Sequence, residues 1–223
     1  MAPPTSSSPA AAAHRPVVPV RYGRWHLQQG TYRASFPQGL EVTFVDTTPL
    51  LHKYHKEHWV DLIGGYSSQR EDSVKESQRL LLESSLNSST AKFKLVVGHH
   101  PVVSLGDNCQ KDSDCDETSE LFIPLLEQYN VTAYLNGHEH DLQYIESSEG
   151  GQHVVSYVVT GAGSDVAIDE FQKLRQKSIP EGPYFLRDDQ GFVAVVLEGS
   201  SLDFYYYVSS SRLPAFKASR EQK

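Results

Sequence analysis

Acidic side chains are missing from the first 40 residues, which carry Arg15, Arg21, Arg24 and Arg33 but no Asp or Glu. The opening "MAPPTSSSPAAAAHRPVVPV" also lacks the basic start and the longer apolar centre of a secretory signal. Its Ser-rich, acid-poor composition fits an organelle transit peptide and a plain disordered tail alike. Residues 1–23 are therefore read as a disordered or transit-like leader. No apolar stretch approaches the roughly 20 residues a spanning helix needs, which predicts a soluble chain without a membrane partner. Basic residues are in deficit, 20 against 28 acidic ones, for a net charge of −8. That balance argues against nucleic acid as a partner. Cysteine is scarce: Cys109 and Cys115, inside "GDNCQKDSDCDETSE", are the only two. Such a pair in a polar loop suits a small disulfide in an oxidising compartment, with two free thiols as the other reading. "NSS" at Asn87 and "NVT" at Asn130 are glycosylation sequons, usable if the chain enters the secretory route.

What is present suffices for one sizeable domain: 223 residues, 39% of them hydrophobic. "LEVTFVDTTP" (40–49) reads as a strand entering a loop. "QREDSVKESQRLLLESSL" (69–86) reads as a helix with Val74, Leu81, Leu82 and Leu86 on its apolar face. "FKLVVG" (93–98) and "VTAYLN" (131–136) are short continuous apolar runs, typical of strands buried on both faces. Between them "TSELFIPLLEQY" (118–129) predicts a helix capped by Thr118 or Ser119 and bent or shifted by Pro124. "HVVSYVVTGAGS" (153–164), "GFVAVVLEG" (191–199) and "SLDFYYYV" (201–208) read as strands, the last two forming a hairpin. Residues 209–223 read as a polar, frayed tail. The sum is an α/β chain with a layered β-sandwich flanked by helices.

Ten histidines are distributed unevenly. His52, His55 and His58 in "HKYHKEH" share a helical face, as a zinc site would require, but the interleaved Lys53 and Lys56 oppose a cation. A solvated loop or short helix fits that stretch better. His99 and His100 follow "KLVVG", and His138 and His140 follow "VTAYLN" and a glycine. Both pairs thus sit where a sheet strand ends, the edge at which α/β folds collect ligands. Neutral imidazole suits zinc, iron and related metals, so both pairs are candidate ligands. The glycine before each pair is expected to let the backbone turn tightly.

"STAKFKLVVGHHPVVS" and "VTAYLNGHEHDLQYI", joined by "LFIPLLEQY", closely resemble the last two motif blocks of the purple acid phosphatases. These are metallophosphoesterases similar to tartrate-resistant acid phosphatase. "RWHLQQGTYRASF", "LEVTFVDTTPL" and "VTGAGSD" resemble family segments too, so the likeness covers residues 24–208. It implies a metallophosphoesterase-type fold and hydrolysis of small phosphate monoesters at a binuclear centre of iron (Fe3+) and a second divalent metal, zinc, iron or manganese. On this resemblance His99 and His138 bind the divalent metal and His140 the ferric ion. A two-metal clamp neutralises phosphate oxygens and delivers a hydroxide in line with the departing alcohol. The resemblance also implies a secreted or endomembrane location.

Three earlier family blocks, written GDxG, GDxxY and GN-H-[DE], do not occur; the only Gly-Asp is Gly106-Asp107, and no Asp precedes Asp46. In the loop after "GHHPVVS" the family places a phosphate-contacting histidine where Asn108 stands here. Asn108 can hydrogen-bond a phosphate oxygen but cannot serve as a general acid, and His100 is the other candidate substrate contact. The sequence therefore predicts the C-terminal part of a phosphatase domain, apparently lacking its N-terminal half and with little activity in this chain. The alternative is a catalytically inert isoform acting as a metal- or protein-binding module.

Overall fold

The apolar runs that end in glycine build the centre of a parallel sheet. The computed structural model describes residues 30–57, 71–110, 114–148, 153–166 and 184–221. The leader 1–23, His14, His26 and His58 lie outside the described residues. Four strands run parallel: β2 (Leu40–Phe44), β3 (Phe93–Val97), β4 (Ala133–Asn136) and β6 (Val155–Thr160). Two strands run the opposite way, β1 (Tyr32–Phe36) beside β2 and β5 (Leu142–Ser147) beside β6, and β7 (Tyr184–Arg187) pairs antiparallel with β5, so it runs in the direction of the first four. The order is β1-β2-β3-β4-β6-β5-β7. A second sheet holds β8 (Gly191–Glu198), β9 (Ser201–Val208) and β10 (Phe216–Glu221), with β9 central.

The large sheet buries both faces, which is why its central strands read as mainly apolar runs. One face packs Val96, Tyr134, Ile145 and Tyr157 against two helices, α1 (Glu71–Asn87) and α3 (Asp114–Gln128). The other packs Val42, Leu95, Tyr144 and Val158 against Leu202, Phe204 and Tyr206 of the small sheet. The layers are helices, large sheet, small sheet. Among the described residues, no helix is long and apolar enough to cross a membrane.

Three local expectations are corrected. On α1 the inward stripe is Gln78, Leu82 and Leu86, spaced four apart, whereas Leu81 falls off it and is exposed. Helix α3 begins at Asp114, not at a Thr118 or Ser119 cap. Thr118 is fully buried inside it, with its hydroxyl donating to the Pro101 carbonyl at 2.5 Å. Pro124 removes one helical donor, yet Phe122, Ile123, Leu125 and Leu126 around it are all buried, and their packing outweighs the break. Finally, the end expected to fray contains β10, held because Phe216 stacks on Phe185 at 4.8 Å and meets Tyr206 and Tyr144.

Candidate metal site

The loops leaving β2, β3 and β4 converge at the C-terminal edge of the large sheet. Ladder bonds continue past the strand ends and pin them there: Val45 N–H to Val97 C=O at 2.8 Å, Gly98 N–H to Leu135 C=O at 3.0 Å, Gly137 N–H to His99 C=O at 3.2 Å. Gly98 is needed for close approach, because a Cβ there would collide with the Tyr134 hydroxyl and with Thr47 Cγ2. Gly137 carries no such burden, and its φ is not positive. The sharp turn falls instead on His138, at φ 66°, and the Glu139 N–H reaches the Gly137 carbonyl at 2.8 Å. That is a γ-turn of the rarer, positive-φ kind, which stores strain of roughly 1–3 kcal/mol. The turn sends Glu139 inward, 1% exposed, while His138 and His140 face the rim.

His99, His100 and His138 converge, with one ring nitrogen of each within 4.8 Å of the others. His138 Nδ1 lies 3.1 Å from His99 Nε2, and His138 Nε2 lies 3.1 Å from Asp114 Oδ2. Lys53 Nζ meets the same Asp114 oxygen at 2.5 Å. His100 is engaged at both nitrogens by the fold. Thr47 Oγ1 accepts the backbone N–H groups of His99 (3.3 Å) and His100 (3.1 Å), so its own hydrogen goes to His100 Nδ1 at 2.8 Å. The His100 Nε2–H then donates to the Tyr54 hydroxyl at 3.0 Å.

All three imidazoles are shifted toward the neutral form. Burial pushes His100 down to about 3, helped by the charges of His138, His99 and Lys53. Burial also lowers His99, with His140 and Lys53 adding to it. For His138, burial and His99 lower the value against the opposing pull of Asp114. On Lys53, burial lowers the value but the hydrogen bond and charge of Asp114 prevail and raise it. Neutral imidazole is the form that binds metals. Two nitrogens about 2.1 Å from one ion and 3.1 Å apart subtend about 95° at it, an angle divalent ions accept. The His99–His138 pair thus fits one divalent ion. Among the described residues no other group of three or more such donors occurs.

The remaining candidates lie around this pair. His140 is half-exposed and approaches Asp165 at 3.5 Å. Asn108 gives its side-chain amide to Glu139 Oε2 at 2.9 Å, and Glu139 Oε1 also accepts the Cys109 N–H at 3.2 Å. The buried carboxylate between the two histidines therefore holds the short helix α2 (Asp107–Gln110), a role the sequence did not suggest. Cys109 and Cys115 are joined in a disulfide, their Cα atoms 4.8 Å apart. Asn87 and Asn130 are exposed. His52–Lys56 forms a 3-10 turn in which His55 is buried and donates to the Pro49 carbonyl at 2.7 Å. Beside His99 opens a cleft of about 440 Å³ lined by Tyr32, Phe44, Asp46 and Gly98. Nothing in the sequence spacing of Asp114, Thr47 and Tyr54 links them to the histidines they touch.

Residues 17–142 match the calcineurin-like phosphoesterase family. Purple acid phosphatase 4 of Arabidopsis thaliana is 31% identical over 181 residues, which cover 81% of this chain and 50% of that protein. The chain spans about half the length of the curated relatives it matches. Among solved structures, GAP50, the anchor in the inner membrane complex of Plasmodium, superposes with a TM-score of 0.62 at 18% identity, covering 86% of this chain and 54% of that one. Purple acid phosphatase PPD1 from yellow lupin (Lupinus luteus) seeds gives 0.57 at 16% identity, covering 86% of this chain and 32% of that one. Both share the fold.

Proposed function

This chain belongs to the calcineurin-like phosphoesterase family, and from that premise we propose that it is part of a phosphate-monoester hydrolase of the purple acid phosphatase type. The observation that carries the reading is the His99–His138 pair, two imidazoles 3.1 Å apart at the ligand-collecting edge of the sheet, both shifted toward the neutral form. A divalent ion held there supplies Lewis-acid charge for phosphate oxygens, which lets a net-acidic chain accept an anion. The chain's own residues do the positioning: Gly98 and Thr47 fix the backbone of His99, and the γ-turn fixes that of His138. The finer reading places a ferric ion at His140 beside zinc, iron or manganese at His99 and His138. Its support is the family resemblance. With one donor cluster among the described residues, the chain is expected to bind a single ion and turn over slowly. Two exposed sequons and the Cys109–Cys115 pairing support a secreted or endomembrane location.

A second reading, a metal- or protein-binding module without turnover, draws on the donor count and on Phe36, 48% exposed on edge strand β1. GAP50, described as an anchor, shares the fold. The test is an assay of p-nitrophenyl phosphate with iron and zinc, alongside metal titration. Stoichiometric binding with turnover near background supports the single-ion proposal. Robust hydrolysis abolished by His138→Ala would overturn the low-activity part of it. Absence of metal binding would overturn the site.

A further inference from the structure

The metal-site histidine His138 is gripped from behind by a residue far from it in sequence. Asp114 opens α3 and lies 3% exposed, with its carboxylate at the sheet edge. One oxygen, Oδ2, receives both His138 Nε2 at 3.1 Å and Lys53 Nζ at 2.5 Å. Lys53 comes from the 3-10 turn His52–Lys56, so three separate segments meet on one oxygen. We infer that Asp114 is a positioning residue for the metal site, fixing the tautomer and ring orientation of His138. The inference rests on the proposed metal role of the His99–His138 pair.

The proton count supports it. A carboxylate oxygen only accepts, so His138 must carry its hydrogen on Nε2. Nδ1 is then a bare lone pair, and it is the nitrogen turned toward His99. In the ion-free protein His99 Nε2–H fills the gap by donating to His138 Nδ1. To accept an ion, His99 need only move that hydrogen to Nδ1. His138 need move nothing. Carboxylate–histidine–metal triads gain affinity in this way, and loss of the outer partner typically costs 10–100-fold. Lys53 supplies the countercharge that lets the buried carboxylate persist.

The arrangement also explains why the strained backbone of His138 persists. A left-handed φ on a non-glycine residue lasts only where its surroundings over-determine it. Here the γ-turn bond fixes the main chain and Asp114 fixes the ring.

The experiment uses the full chain, stripped of metal and titrated with Zn2+ and Co2+ against a chromophoric chelator. Asp114→Ala should weaken binding 10–100-fold. Asp114→Asn, which keeps an acceptor without the charge, should recover part of the loss. His99→Ala and His138→Ala serve as controls for the site itself. If neither control changes affinity, the metal reading fails. If both abolish binding and Asp114→Ala matches the unaltered chain, the positioning inference alone fails. A readout that needs no substitution is the 15N shift of the His138 ring in the metal-free protein. An Nε2–H tautomer is expected, and an Nδ1–H tautomer overturns the inference even if Asp114→Ala does not fold.

Discussion

The hydroxyl of Thr47 lies 2.8 Å from Nδ1 of His100 and 3.1 Å from the same residue's backbone nitrogen, so one side chain holds both ends of that histidine. Thr47 is 1% exposed and His100 likewise, so water cannot replace the hydroxyl. Thr47→Val keeps the shape and removes the oxygen, leaving a buried N–H and a buried ring nitrogen without their partner. The expected cost is about 3 kcal/mol of folding stability. Thr47→Ser retains the oxygen and should fall within about 1 kcal/mol of the unaltered chain. Urea unfolding of both variants checks this, and equal midpoints would contradict the network.

Gly98 and Tyr134 form a second tight contact. The Tyr134 hydroxyl donates to the His100 carbonyl at 2.8 Å and passes directly over the Gly98 α-carbon. A methyl group at Gly98 has nowhere to go. Gly98→Ala should cost about 2 kcal/mol or more by overpacking. Adding Tyr134→Phe removes the obstructing oxygen, so the double variant should lose less than the sum of the singles. A coupling of about 1 kcal/mol or more is expected in the double-mutant cycle. Strict additivity would mean the strain is relieved elsewhere.

Where burial on both faces leaves only one reading of the pattern, the fold was legible in the sequence. Phe93–Val97 and Ala133–Asn136 are such cases: mostly apolar, closed by a turn, and strands in the structure. The hairpin of β8 and β9 was legible from its Gly-Ser turn, with Gly199 at φ 60°. Phe216–Glu221 was not, because a half-buried edge strand of alternating Phe, Lys, Ala and Ser looks like any polar tail. Its pairing with β9 and the aromatic partners it meets across the sandwich give it order. At the site, His99 and His138 were visible because strand–Gly–His is a local pattern. Asp114, Thr47 and Tyr54 were not, since they reach the histidines from 24 to 53 residues away in sequence.

The ordering of β10 can be tested through Phe216 itself. Its ring stacks on Phe185 with planes 7° apart and also meets Tyr206 and Tyr144. It is half-buried, so Phe216→Ala should cost about 2 kcal/mol, less than a fully buried phenylalanine. Hydrogen exchange gives the sharper readout. Amides of residues 216–221 paired to β9 should be protected in the unaltered chain and exchange faster in the variant. Exchange at the rate of a free tail in both would restore the frayed reading.

The same strand is tied by charge, and the tie has a pH window. Asp203 on β9 and Lys217 on β10 are 2.8 Å apart, and Ser201 donates a further hydrogen bond to Asp203 at 2.7 Å. Lys217 first, then the hydroxyls of Ser201 and Ser219, hold the Asp203 carboxyl well below the usual carboxylate range. A depressed carboxyl stabilises the fold fully above its unfolded value, near about 4, and progressively less as pH falls from there toward the folded value. Lys217 works in the opposite sense. The Asp203 hydrogen bond raises it, so its contribution is complete below the unfolded value of about 10.4 and is lost as pH climbs through the folded one. The pair therefore stabilises most between about pH 4 and 10. Asp203→Asn should lower the urea midpoint at pH 7. Compared with the unaltered chain, it should also flatten the decline both below pH 4 and above pH 10, whatever the other carboxylates do. Parallel pH profiles for the two proteins would show that the ion pair is not coupled to folding.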